Sequence, residues 1–126
     1  MPPTKPRSKS KKAKQKRKTA SGGLSKNEIE ALVEEAIVDA HDDSEQTMGF
    51  FTMLEEHLAL PFETEVLGVI VTVDNLGMHE RDDVVVVCQR NRERLTLSIL
   101  SVPLPDPPPD GWQWIEAYRH WAQGWR

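Results

Sequence analysis

The chain has 126 residues, enough for one small domain and little more. Its formal charge of −4 hides two unlike parts: residues 1 to 23 hold nine Lys and Arg and no acid, and the rest holds seven against twenty acids, or −13. A single cysteine excludes an internal disulfide, no apolar h-region of about 7 to 15 residues follows the basic start, and no apolar run nears the roughly 20 residues of a bilayer span, so a cytoplasmic protein with no membrane partner is expected.

The first element is the run SKSKKAKQKRK, which has like charges and nothing apolar to bury, so residues 1–23 are read as a disordered basic tail and 24–126 as one acidic domain. Lys9, Lys11, Lys12, Lys14, Lys16, Arg17 and Lys18 are suited to non-specific contact with nucleic-acid phosphates. Two other readings stand beside that one: a solubilising extension, and a tail lying against the chain's own acidic domain and competing there with a cation.

After Gly22-Gly23, Ser25 followed three residues later by Glu28 is a capping-box pattern, and Ile29, Leu32, Val33, Ala36, Ile37 and Ala40 recur at helical steps. A helix from near Lys26 to Asp42 is predicted. Asp42, Asp43 and Ser44 are better caps than interior residues, which places a break there. A second helix is predicted through MGFFTMLEEHL, with Met48, Phe51, Met53, Leu54 and Leu58 as its apolar residues at less regular spacing, until Pro61 ends it.

From Phe62 the texture turns to β: FETEV, GVIVTVDNL, DVVVVCQR and RLTLSIL, connected at Gly68, a segment containing Gly77, and Asn91 to Glu93. An α+β fold follows, with two N-terminal helices and a four-strand antiparallel meander or small curled sheet. The VVVV stretch is expected to be buried on both faces, with Cys88 as core filling, and Thr96 and Ser98 mark a wet face of the last strand. A proline-rich strap, PLPDPPPDG, leads to a C-terminal helix capped by Asp110, with Trp114, Ala117, Tyr118, Trp121 and Trp125 along one side for docking.

Between Lys26 and Arg81 stand fourteen Asp and Glu and no Lys or Arg, ten of them from Glu28 to Glu56. Helical surfaces ordinarily mix the signs, since like charges one turn apart repel. Clustered carboxylates bind hard cations, which makes Ca²⁺ the first candidate ligand. The EF-hand pattern fails: Asp39, His41, Asp43 and Glu45 fit loop positions 1, 3, 5 and 7, but Ser44 replaces the turn glycine and Phe50 the bidentate glutamate. A helix end offers another geometry, in which at least two of Asp39, Asp42 and Asp43 share a side of the first helix, freed helix carbonyls add oxygens, and Glu45 closes the site from the second helix. His41 and His57 raise Zn, Mn or Fe as an alternative, without the paired His spacing such sites use. No nucleophile elbow, phosphate-cradling loop or zincin motif accompanies the acids, so an enzyme is not expected.

The segment EAIVDAHDDSEQTMGFFTMLEEHLALPFETEVLGVIVTV, the PLPDPPP strap and the ending WIEAYRHW together resemble the CcbP family, cyanobacterial calcium-binding proteins and their bacterial relatives, over roughly residues 28 to 122. The resemblance implies a compact non-EF-hand Ca²⁺ binder with an acidic surface that sequesters or buffers intracellular calcium, and a buffer or sensor is the function expected here. Residue by residue, it points to Asp39, Asp42, Asp43 and Glu45, with Glu55, Glu56, Glu63 and Glu65 as further acidic ligands. The alternative function is a nucleic-acid-associated or protein-interaction adaptor working through the basic tail and the acidic domain.

Overall fold

The computed structural model of the protein describes residues 23–80 and 82–124. The tail lysines and arginines named above, Arg81 and Trp125 lie outside them. Three helices, α1 (Lys26–Ile37), α2 (Asp43–His57) and α3 (Trp112–Ala122), accompany four strands, β1 (Phe62–Val66), β2 (Val69–His79), β3 (Asp83–Arg90) and β4 (Glu93–Ser98). The strands form an antiparallel sheet in the order β1-β2-β3-β4, the meander expected for an α+β chain.

The capping box is present in full: the Ser25 hydroxyl accepts from the Glu28 amide at 3.1 Å, and the Glu28 carboxylate accepts from the Ser25 amide at 2.9 Å. Such a cap contributes about 1 kcal/mol. The far end of α1 departs from expectation. The helix stops at Ile37, not Asp42, and Asp39 takes the left-handed conformation at φ 68°. Val38 already has extended backbone, so the helical period running on to Ala40 in the sequence is not used. A tight reversal brings α2 back against α1, and Gly49 marks the contact, since a Cβ there would lie 2.1 Å from the Ala36 carbonyl oxygen.

Along α2 the buried residues are Thr47, Phe50 and Leu54. Of the apolar residues read on this helix, Leu54 is buried and Met48 is 40% exposed, while Phe50, outside that set, is buried. Phe50 has no exposure and meets Tyr118 and Trp121 of α3, each at 5.4 Å between ring centroids. The indole Nε1–H of Trp121 donates to Gln46 at 2.9 Å, so α3 docks on α2 through the aromatic stripe read from the sequence. The expected Asp110 cap of α3 is instead Gly111, in the left-handed region at φ 86° with no side-chain cap bond. The Asp110 carbonyl oxygen accepts from the Ala59 amide at 2.8 Å, binding the strap's end to the end of α2.

One face of the sheet carries Val71, Val73, Val84, Val86 and Cys88, all buried. Val85 and Val87 are only half-buried, which corrects the two-sided burial expected for this run: the antiparallel sheet is covered on one face, by α2 against β2 and β3 and by α3 through the Tyr118 contact with Val84, while α1 packs on α2 and α3. Gly77 is not a connection but lies within β2, opposite Val85. Leu67-Gly68, both at positive φ, form the β1–β2 turn, as a two-residue hairpin requires. A bulge between Val73 and Asn75 shifts the register, so Leu76 and Met78 face the same side as Val71 and Val73. Burial, and after it the charge of Asp74, pushes the Cys88 thiol up, in keeping with core filling. The strap is pinned by Thr64, whose hydroxyl donates to the Pro103 carbonyl at 2.6 Å.

Candidate metal centre

Asp39, Asp42 and Glu45 border one open concavity of about 470 Å³ at the reversal between α1 and α2, with His41, Ser44 and Met48 completing much of its rim. Local structure explains each carboxylate's position. Asp42 is the α2 N-cap, and its Oδ1 accepts from the Glu45 amide at 2.9 Å. Glu45 turns back, and its Oε1 accepts from the His41 amide at 2.6 Å. Acids at a helix N-terminus also complement its positive end. Two of the three are therefore held in place by their backbone bonds, with their remaining oxygens available to a ligand.

The expected pairing of Asp39 with Asp42 and Asp43 on one side of α1 is not formed, because α1 ends before all three. Asp43 parts from its neighbours and lines a different concavity, of about 610 Å³, with Asp82, Asp83, Tyr118 and Trp121. Asp82 and Asp83 were not singled out in the sequence; they stand about forty positions from Asp43, and no local pattern links them to it. Glu55 and Glu56 are exposed near the end of α2. Glu63 and Glu65 are exposed on β1, opposite Thr72 and Ile70. His57, the last residue of α2, stacks on Trp114 at 5.7 Å, whereas His41 precedes the helix at its other end, about four turns away, so the two histidines do not share a site. Among the described residues, no three His, Cys, Asp or Glu side chains stand together closely enough to hold an ion.

The second concavity has a tightly built wall. The Tyr118 hydroxyl accepts from the Val84 amide at 3.2 Å and donates to Asp83 Oδ1 at 3.3 Å, and the Ser98 hydroxyl donates to the same oxygen at 3.1 Å. Burial pushes the Tyr118 phenol up to about 12, with the charges of Asp83 and Asp82 adding to it and the Val84 amide opposing it. An unfolded tyrosine titrates near 10. Its contribution to stability is thus intact below pH ~10 and is lost as pH rises to about 12, at up to about 1.4 kcal/mol per pH unit. Tyr118 is the chain's one tyrosine, so absorbance of phenolate reads it alone. The expected result is a midpoint well above 10 that coincides with alkaline unfolding. A midpoint near 10 in a chain that stays folded would refute this account.

Carboxylates are the main charged donors at both concavities, beside His41 at the first and Tyr118 at the second, and carboxylate oxygens suit a hard cation. A small α+β fold with acidic concavities and no EF-hand loop is thus the frame in which a hard cation would bind. A calcium-binding protein solved in its calcium-binding form has a similar fold, with 22% identity, a TM-score of 0.63, and coverage of 78% of this chain and 92% of that one. The chain belongs to the CcbP family, described as calcium binding, whose family model matches residues 30–122. No curated protein matches the chain. No helix among the described residues is long and apolar enough to cross a membrane.

Proposed function

We propose that this protein binds Ca²⁺ at the α1–α2 reversal and serves as an intracellular calcium buffer, not as a catalyst. The observation that carries the reading is that Asp39, Asp42 and Glu45 all border one concavity in a chain of a calcium-binding family. Binding would draw these carboxylates closer together than they stand here and fill the rest of the ion's six to eight positions with backbone carbonyls and water. It also relieves the repulsion of clustered acids, so binding is coupled to stability. Asp43 with Asp82 and Asp83, and the exposed pairs Glu55/Glu56 and Glu63/Glu65, supply weaker attraction to the same ion. A sensor role draws on one further observation: Val38 and Met48, 66% and 40% exposed, lie beside the acids, where a partner would read a change in the reversal.

The test is the triple variant Asp39→Asn, Asp42→Asn, Glu45→Gln. Asn tolerates the left-handed conformation at 39 and caps helices well at 42, and Gln keeps the acceptor that faces His41, so charge is removed while local structure stays. In chelator the variant is expected to melt no lower than the parent, since neutralising the three acids relieves the same repulsion. With Ca²⁺ at about 100 times its dissociation constant, the parent gains about 2.7 kcal/mol and the variant gains little or nothing. An equal calcium-dependent gain in both moves the site elsewhere. The absence of calorimetric heat and of any thermal shift at millimolar Ca²⁺ in the parent would end the proposal.

A further inference from the structure

Along α1, Leu24, Ala31, Leu32 and Trp112 line an open groove of about 440 Å³ that also carries Glu28 and Glu35. The two glutamates are exposed and two turns apart, about 10 Å along the axis. An apolar floor between acidic rims suits a side chain with a long aliphatic stem and a cationic tip, and an indole face adds attraction for an ammonium group. Lysine is that side chain. Both glutamates stand in the stretch from residue 27 to residue 80 where no Lys or Arg occurs, so no base on α1 neutralises these rims beyond Lys26, while Trp112 and Gln113 line the groove from α3.

A segment of this chemistry is covalently attached beside the groove. Lys9 to Lys18 holds seven cations in ten residues and no acid. Lys18 precedes Leu24, itself a groove residue, by six positions, a reach of about 20 Å and twice the spacing of the two glutamates. Tethering at this length sets an effective concentration on the order of millimolar. We infer that the segment Lys9–Lys18 docks on the α1 groove, with lysine stems on Leu32 and Trp112 and ammonium groups on Glu28 and Glu35. Neither glutamate borders the α1–α2 reversal, so the inference stands apart from the calcium reading.

The experiment is zero-length carbodiimide cross-linking of the full chain in chelator at low salt, using mixed ¹⁵N-labelled and unlabelled protein, followed by peptide mapping. The expected result is intrachain links from Lys9–Lys18 to Glu28 and Glu35, several-fold above links to the equally exposed Glu55, Glu56, Glu63 and Glu65, and lost at high salt. Equal yields at all exposed acids, links only between labelled and unlabelled chains, or no links would each overturn it. Retention on duplex DNA by a tail that makes no such links also overturns it. As a second readout, the Trp112 indole N–H resonance should move with salt in the parent but not in Glu28→Gln/Glu35→Gln, in which glutamine preserves the α1 capping box. An identical shift in both proteins would remove the groove from the account.

Discussion

Gly111→Ala is expected to destabilise the domain by about 3 kcal/mol or more and to lower its melting temperature by at least ~12 °C. Two effects combine. The residue sits at φ 86°, a conformation that costs an L side chain about 1–2 kcal/mol. An added Cβ would also lie 2.2 Å from the His57 carbonyl oxygen and 2.6 Å from the Leu58 Cα. These are backbone atoms and cannot swing aside, and the Ala59 to Asp110 hydrogen bond holds the two segments together at the same place. Gly68→Ala supplies the control, because φ there is 81° but nothing lies within 4 Å of the added carbon. Thermal melts should show a loss of about 1 kcal/mol at Gly68 against the larger one at Gly111. Equal losses would mean that the close approach carries no weight.

Phe50→Ala should cost about 3–5 kcal/mol, the range for emptying a fully buried aromatic site. Phe50 has no exposed surface and touches both rings through which α3 docks, so the cavity opens at the joint of α2 and α3. Neighbouring Phe51 is only half-buried, and Phe51→Ala should cost clearly less. Urea unfolding of the two variants decides the matter. A Phe51 loss equal to or above the Phe50 loss would reverse the assignment of the core face.

The same pair of phenylalanines shows where sequence reading gives out. Both are large and apolar, and a helix of modest periodicity does not say which of two adjacent residues faces inward; the answer comes from α1 and α3, which lie elsewhere in the chain. The strands were readable because β-branched residues and turn residues alternate locally, and the aromatic stripe of α3 because helical spacing repeats it. The end of α1 was not readable, since Val38, Asp39 and Ala40 continue the helical pattern, and only the approach of Gly49 to Ala36 shows why the chain must turn earlier. The acids follow the same division. Asp39, Asp42 and Glu45 were legible as neighbours at a helix boundary, whereas the grouping of Asp43 with Asp82 and Asp83 depends on where a hairpin falls relative to a helix end.

Asp74 occupies the bulge of β2, where Val73 pairs with Cys88 and Asn75 already pairs with Val87. One of its oxygens is buried without a hydrogen bond, although the Arg94 guanidinium lies 3.5 Å from it, near enough for charge attraction and poorly aligned for a bond. Every other residue of the strand between Thr72 and His79 has a partner across the ladder. Excising Asp74 would therefore leave each remaining pair where it is, with Val73, Leu76 and Met78 still on the inner side and the hairpin unchanged. The length of this strand is a free variable at that one point, so chains one residue shorter in β2 can share the same pairing scheme without any compensating change in their loops.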